Sequence, residues 1–346
     1  MTARPPPTLL LVQRFRGPAG AHAPARALGA EFWKERTMRA VGFTEFGGPE
    51  VLGVHDLPDP HPGAGEVRIR VRAAAVNPTD VASRTGLLGV GTSRPPYIPG
   101  AEAAGVIDEV GAGSTWRIGE EVMTMAVPMS GHGGAYAEYL LAPDDSLARV
   151  PAGTSPEQAA TLPMNGLTAL QILELMSLSP GERLVVTGGA GVVGSLLVQL
   201  ARRRGLTVIA DAAPKDFPLL RSLGADHVLE RGDDLAARIR AVLGDGVDAV
   251  ADTALLHEKV VPALRDGGVF VSLRRWRGEP ERGIRHEAAW VPDEYRSPEK
   301  LDALREAVED GGLVLREADA LPAEEAARAH RLLEAGGLRR RIVLTF

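Results

Sequence analysis

A glycine-rich hexapeptide carries the chemistry that this sequence indicates most clearly. Residues 189–194 are Gly-Ala-Gly-Val-Val-Gly, between a short apolar run at Arg183–Thr187 and an apolar-faced helix predicted over Ser195–Arg204. Glycines at this spacing allow a tight turn and let the backbone approach a pyrophosphate at the helix N-terminus. Because the strand–turn–helix context is met, a dinucleotide-binding turn is predicted, with a purely structural turn as the alternative. The predicted contacts are Gly189, Ala190, Gly191, Val192, Val193 and Gly194.

Three charged residues beyond the turn bear on the kind of dinucleotide. Asp211 lies 22 positions after Gly189, at the end of the next predicted strand. An acidic residue there normally binds the adenosine ribose hydroxyls and disfavours a 2′-phosphate. Lys215 and Arg231 are nearby cations that can hold a 2′-phosphate instead, unless they are only solvated surface charges. Asp211 therefore favours NADH, and the two cations leave NADPH open.

The elements around this turn alternate between strand and helix. After Leu162, short apolar runs alternate with helical patterns that have one apolar face. This alternation is typical of a parallel sheet with right-handed crossovers, so a Rossmann-type α/β domain is predicted. Its strands are predicted over 183–187, 206–211, 227–229, 247–252 and 269–273, and its helices over 195–204, 214–223, 234–243 and 255–264.

The chain before Leu162 has the pattern of short strands. Val67–Arg72 alternates apolar and charged residues with period two, as in a strand with one buried face. Other strand candidates are separated by glycine and proline clusters, which predicts an antiparallel, barrel-like domain. These candidates are 40–43, 105–110, 121–125 and 135–141.

Composition excludes several classes of protein. The 346 residues include 39 Lys and Arg against 45 Asp and Glu, and the net charge of −6 disfavours a nucleic-acid partner. Cysteine is absent, which excludes disulfides, a thiol nucleophile and Cys-ligated zinc. No apolar run approaches the ~18 residues of a membrane span, so a soluble, cytoplasmic protein without a membrane partner is expected.

Residues 1–37 differ in character from the rest of the chain. They carry six basic and two acidic side chains and are rich in proline and alanine. This composition predicts a disordered extension or one that is absent from the native protein, whose start would then be Met38. An organellar transit peptide is the alternative, because such peptides are also rich in arginine and poor in acids.

Several loose motifs, in a fixed order from Met38 to Phe346, resemble the medium-chain dehydrogenase/reductases, and specifically their zinc-free quinone oxidoreductase branch. The motifs include Phe46–Leu52, Asn77–Asp80, Pro99–Glu102, Gly134–Tyr139, Leu162–Ala169, Leu223–Val228 and Ala329–Gly336. The resemblance implies a GroES-like barrel domain over 38–162 and 292–346 and a Rossmann domain over 163–291. It also implies a homodimer, for which Ile284–Val291 is the candidate pairing strand.

The resemblance further implies the reaction. Zinc-dependent relatives carry a Cys and a His where this chain has Asn77 and Ala101. Since a zinc ion activates an alcohol as a Lewis acid, its loss favours hydride transfer from NADPH, or from NADH given Asp211, to a quinone or an α,β-unsaturated carbonyl compound. A non-catalytic nucleotide sensor or scaffold of the same fold is the alternative.

Site residues follow from the same resemblance. Asn77 and Asp80 would line the cleft between the domains, and Thr168 would lie near the nicotinamide. Thr253 and Ser272, at the ends of two strands, would contact the ribose and the nicotinamide. Tyr97 is the candidate proton donor. For Asn77 and Asp80 the alternative is a turn around Pro78. For Thr253 and Ser272 it is the capping of a strand end, and for Tyr97 it is packing in the barrel.

Overall fold

The first part of the chain forms antiparallel strands, as its alternation predicts. The computed structural model describes residues 36–89, 93–128 and 132–346, so nearly all of the predicted N-terminal extension lies outside the described residues. In the strand Glu66–Ala75 the apolar side chains are buried, and Arg70 and Arg72 face solvent. The strands are β1 (Thr37–Gly42), β2 (Gly53–Pro58), β3 (Glu66–Ala75), β4 (Glu102–Val110), β5 (Glu121–Met125), β6 (Tyr139–Pro143) and β7 (Leu147–Arg149).

Two strands from much later in the chain complete the barrel sheet. The late strands are β14 (Ala318–Pro322) and β15 (Arg341–Thr345). The sheet has the order β14-β15-β3-β4-β5-β7, with β6 also paired to β3, while β1 and β2 pair with each other. The barrel-like fold is confirmed, with antiparallel pairs throughout this sheet except β14 with β15, which are parallel. The domain boundaries stay a prediction.

A second, all-parallel sheet has the order β10-β9-β8-β11-β12-β13. The order reverses between β8 and β11, which is the doubly wound arrangement, and ligands of such sheets bind at that reversal beyond the carboxyl ends of the strands. The predicted Rossmann-type fold is thereby confirmed. The strands are β8 (Arg183–Thr187), β9 (Thr207–Ala212), β10 (His227–Glu230), β11 (Val247–Asp252), β12 (Leu264–Ser272) and β13 (Arg285–Ala288).

Helices cover both sheets, and the largest apolar core joins the helices at 163–176 and 192–203 and the parallel sheet to side chains of the barrel strands. Within the described residues no helix has the length and apolar character needed to cross a membrane. The helices are α1 (Pro78–Arg84), α2 (Pro156–Ala159), α3 (Pro163–Met176), α4 (Val192–Arg203), α5 (Phe217–Ser222), α6 (Leu235–Leu243), α7 (Pro298–Glu309) and α8 (Ala326–Ala335).

One predicted helix is wrong. The segment 255–264 forms two short 3₁₀ turns, His257–Lys259 and Val261–Ala263, and Leu264 already begins β12. Pro262 explains the difference, because proline lacks the N–H that a continuous α-helix needs at that position.

Candidate active site

The turn that links β8 to α4 requires glycine at three positions. Gly188 has a φ of +63°, in the left-handed region that side chains disfavour. A Cβ on Gly189 would lie 2.7 Å from the Cβ of Ala210, and a Cβ on Gly194 would collide with the carbonyl oxygen of Gly188. The turn therefore packs directly on β9 and places the N-terminus of α4 at the crevice beyond the strands.

A cavity of ≈ 580 Å³ opens beside this turn, a volume typical of cofactor and substrate sites. Its facing wall includes Val76, Pro78 and Asn165 together with residues 336–342. A second cavity of ≈ 370 Å³ adjoins it, since Gly188 and Arg231 line both. The structure thus brings many of the predicted cofactor contacts together in the larger cavity: Ala190, Gly191, Val192, Val193, Gly194, Lys215, Arg231 and Thr253.

The charge of the larger cavity has one sign. Its lining contains six cationic side chains and no carboxylate. Such a wall complements a ligand with several negative charges, as the phosphates of a dinucleotide are. The six cations are Lys215, Arg231, Arg316, Arg339, Arg340 and Arg341.

Asp211 lies inside β9 and lines the smaller cavity together with Arg231. Only 3% of the residue is exposed, and its Oδ1 accepts a hydrogen bond from the backbone N–H of Gly188 at 2.5 Å. Burial raises the pKa of this carboxyl. Asp211 therefore braces the glycine turn, and its contact with a ribose stays a prediction.

Asn77 is completely buried, and its side-chain amide is engaged on both atoms. Its Nδ2 donates to Glu102 Oε1 at 3.0 Å, and its Oδ1 accepts from Asn165 Nδ2 at 3.1 Å and from Arg341 Nη2 at 2.8 Å. The structure thus places Asn77 behind Asn165, which itself lines the cavity. The amide of Asn77 thus contacts a residue of the cavity wall, and its role in the reaction stays a prediction.

Glu102 is the centre of this polar network and is completely buried. Its Oε1 also accepts from Asn165 Nδ2 at 2.6 Å, and its Oε2 accepts from the backbone N–H of Met164 at 2.8 Å. Burial raises the pKa of Glu102, and the guanidinium of Arg341, 3.6 Å from the carboxylate, opposes that shift. The network joins β4, the start of α3 and β15 at the cavity wall.

Asp80 lies in a second buried chain of hydrogen bonds that leads away from the cavity. Its Oδ2 accepts from the backbone N–H of Asn77 at 2.8 Å and from the hydroxyl of Tyr136 at 3.3 Å, while its Oδ1 accepts from Gly100 N at 2.9 Å. That hydroxyl is also 3.3 Å from Nε2 of His330. Burial raises the pKa of Asp80 to about 7. Asp80 thus fixes the start of α1 from inside the protein.

His330, at the far end of this chain, is buried next to Arg84, a buried arginine that is paired with Glu334. Burial, and after it the positive charge of Arg84, lower the pKa of His330 from 6.5 to about 3. Since the unfolded chain binds a proton that the folded chain excludes, His330 costs stability as the pH falls from about 6.5 toward 3.

Replacing His330 by glutamine is expected to remove this loss of stability at acidic pH. Between pH 6.5 and 4 the free energy of unfolding of the wild type should fall, relative to His330→Gln, by up to about 1.4 kcal/mol per pH unit. Urea unfolding across this range measures both slopes, with His61→Gln as the control because His61 is exposed. Equal slopes in wild type and His330→Gln would mean that His330 titrates alike in both states.

The remaining predicted residues have structural partners, and three of these four do not line the cavity. The ring of Tyr97 stacks on Phe46, with centroids 6.1 Å apart. The hydroxyl of Thr168 donates to the carbonyl of Met164 at 2.7 Å, and that of Ser272 to the carbonyl of Trp276 at 2.7 Å. Thr253 lines the cavity, although its hydroxyl donates to the carbonyl of Thr187 at 2.5 Å. The role of Tyr97 as proton donor and the roles of Thr168, Thr253 and Ser272 with a cofactor stay predictions.

Sequence reasoning assigned no role to several residues of the cavity wall. Asn165 lies within a motif that was recognised, but the motif gave no reason to single out its side chain. Arg316 and Arg339 lie more than 100 residues from the turn and the helix they contact, in a segment without local periodicity. A run of arginines at 339–341, which leads into the last strand, was the one signal in the sequence.

No group of three or more His, Asp or Glu side chains within residues 36–89, 93–128 and 132–346 is arranged to hold a metal ion. At the two positions where the zinc-dependent relatives carry ligands, Asn77 is engaged on both amide atoms and Ala101 has no donor atom.

Comparison with known proteins agrees with this geometry. The family model for the alcohol dehydrogenase GroES-like domain matches residues 63–152, and the model named zinc-binding dehydrogenase matches residues 223–344. A 2-haloacrylate reductase from Burkholderia sp is 32% identical, over 83% of this chain and 92% of that protein. A chloroplastic NADPH-dependent alkenal/one oxidoreductase from Arabidopsis thaliana is 33% identical, over 69% of this chain and 63% of that protein.

A solved structure extends the comparison to the whole fold. The quinone oxidoreductase from Coxiella burnetii superposes with a TM-score of 0.79 at 30% identity, over 90% of this chain and 100% of that chain. The two sheets, the glycine turn and these matches point to one family. The chain belongs to the medium-chain dehydrogenase/reductase superfamily, in its quinone oxidoreductase branch.

Proposed function

We propose that this protein reduces quinones or α,β-unsaturated carbonyl compounds with NADPH and without zinc. The observation that carries the proposal is the cavity at the glycine turn, whose lining has six cations and no carboxylate. The activities named for the relatives, an alkenal/one oxidoreductase and a quinone oxidoreductase among them, support this class of acceptor.

NADPH is favoured over NADH because the carboxylate of Asp211 is bonded to the glycine turn. Its Oδ1 is bonded to Gly188 N, so the carboxylate is partly neutralised by the turn that it braces. Lys215 and Arg231 line the cavity, and within the described part of the chain neither forms an ion pair. Two cations beyond β9 and β10 that are not held in an ion pair suit a 2′-phosphate.

The zinc-free proposal rests on the chemistry of the residues where zinc would lie. Asn77 and Ala101 replace the metal ligands, and the amide of Asn77 is already bonded to Glu102, Asn165 and Arg341. The charge of Glu102 is balanced by the guanidinium of Arg341 at 3.6 Å. A metal ion would have to displace this buried cation, so these residues do not fit zinc.

The residues of this chain supply position and exclude water. The reduced nicotinamide, when bound, supplies hydride to the acceptor carbon. The cavity wall has an apolar part between the two sheets, which keeps solvent from the acceptor and consists of Val76, Pro78 and Leu273. Asn165 presents the polar side chain of that wall, held in place by Glu102 and Asn77. Asn77 and Asp80 are proposed to act as positioning residues, and solvent is proposed to protonate the product.

Assembly and location are part of the proposal. β13 is an edge strand of the parallel sheet, paired with β12 on one side, which suits pairing with a second copy in a homodimer. The acidic net charge of −6 and the absence of cysteine support a cytoplasmic protein that binds no nucleic acid.

Two measurements on the wild-type protein test this function. Calorimetric titration with NADPH and with NADH should show binding of both and tighter binding of NADPH. Oxidation of NADPH, followed by its absorbance, should then be seen with 1,4-benzoquinone or 2-cyclohexen-1-one. Binding without turnover of either acceptor would favour the sensor or scaffold, and binding of neither cofactor would overturn the oxidoreductase proposal.

A further inference from the structure

Arg316 reaches the glycine turn from a distant part of the chain. It lies in the connection between α7 and β14, and its Nη2 is 2.5 Å from the carbonyl oxygen of Ala190 and 3.0 Å from that of Gly191. It lines the larger cavity together with the turn itself. Its guanidinium therefore lies at the N-terminus of α4.

The charge of Arg316 is not balanced by the protein. Its neighbours Arg339 and Arg341 are cations, and the carboxylate that acts on it, Asp216, is bonded bidentately to Arg339. Among the described residues Arg316 forms no ion pair, in contrast to Arg339 and Arg341. Burial and the two like charges lower the pKa of Arg316 to about 10.

An unbalanced, largely buried cation destabilises a folded protein unless an anion approaches it. The geometry restricts which anion this is. Arg316 contacts Ala190 and Gly191, the residues that lead into the first turn of α4, where the free N–H groups lie. Lys215 and Arg231 instead follow β9 and β10, near the expected 2′-phosphate. Arg316 is therefore nearest to the position that a diphosphate takes at a helix N-terminus.

We propose that Arg316 binds the diphosphate of the nicotinamide cofactor and completes the diphosphate site at the N-terminus of α4, beside Ala190 and Gly191. This inference rests on the proposed cofactor-dependent function. It assigns the contact to the segment between α7 and β14, so the site is complete only when that segment packs over the turn. NADH and NADPH share the diphosphate, and Arg316 should therefore act on both equally.

The test is the binding of NADPH and of NADH to Arg316→Gln, measured by calorimetry. Loss of one charge-assisted contact should weaken both cofactors by the same factor, about 10- to 100-fold. Arg316→Lys keeps the charge and should recover most of the affinity. Arg328→Gln is the matched control, because Arg328 is an exposed arginine paired with Glu325 outside the cavity. Thermal unfolding of each variant without cofactor shows whether the turn itself is weakened.

The outcomes separate this inference from the function on which it rests. Equal weakening of both cofactors, with recovery in Arg316→Lys, supports it. Affinity within twofold of the wild type overturns it and leaves the proposed function standing. Weakening of NADPH alone would place Arg316 at the 2′-phosphate. If Arg316→Gln and Arg316→Lys lose the same cofactor affinity and both unfold at a lower temperature than the wild type, Arg316 only braces the turn. A wild type that binds neither cofactor overturns the function itself.

Discussion

Glu102→Gln is expected to lower the free energy of unfolding by about 3–5 kcal/mol, the range for breaking a buried ion pair from one side. Both carboxylate oxygens accept hydrogen bonds from N–H donors, on Asn77, Asn165 and Met164. The NH₂ of a glutamine would face one of these donors in either orientation. The guanidinium of Arg341, 3.6 Å away, would also lose its buried counter-charge.

Urea unfolding measures this loss, and a surface glutamate supplies the control. Glu324→Gln removes the charge of a carboxylate that pairs with Arg39, where both side chains are about half exposed, and should change stability by about 1 kcal/mol or less. Burial raises the pKa of Glu102. If Glu102→Gln lowers the free energy of unfolding by less than Glu324→Gln does, the carboxyl of Glu102 is already protonated in the folded protein and an amide replaces it well.

Gly194→Ala is expected to reduce kcat/KM for NADPH on the order of 100-fold, as a displacement of about 1 Å at a positioning element does. The added Cβ would collide with the carbonyl oxygen of Gly188 and lie 3.0 Å from the Cα of Gly189. Both neighbours are backbone atoms of the turn. The alanine therefore fits only if α4 moves away from β8, and this movement displaces the N–H groups that face the cofactor.

Steady-state kinetics with varied NADPH tests this expectation, and Gly53→Ala is the matched control. Gly53 begins β2, and no atom lies within 4 Å of where its Cβ would be, so its replacement should leave kcat/KM unchanged. Circular dichroism of both variants confirms folding. A Gly194→Ala protein with wild-type kcat/KM would show that the cofactor lies elsewhere than at this turn.

The parallel sheet could be predicted from the sequence because its signals are local. The glycine turn and the alternation of strands and helices lie within one stretch, and each element shows its own period. The predicted helix at 255–264 failed at Pro262, a breaker inside a pattern that otherwise appears helical. Local patterns were thus sufficient to predict the fold, and the one wrong helix arose where a single proline interrupts such a pattern.

The chemistry of the site was harder to predict because it depends on burial. Asn77 and Asp80 were expected to line the cleft, whereas both are completely buried and their side chains are bonded within the protein. Arg316 contacts Ala190 across 126 positions of sequence, and no local pattern marks such a contact. Residue types can indicate a polar site, but only the packing of distant segments decides which side chains face it.

The pairing of β15 with β3 has a consequence for the order in which the molecule folds. Arg341 contacts the carbonyl of Val76 across 265 positions, whereas β8 to β13 follow one another in the chain. Because contacts between residues distant in sequence form slowly, we expect the parallel sheet to form first and the barrel sheet to close last. Arg339, Arg340 and Arg341 reach the cavity only in that final step, so an intermediate with the nucleotide fold alone would have Lys215 and Arg231 but would lack these three cations of the wall.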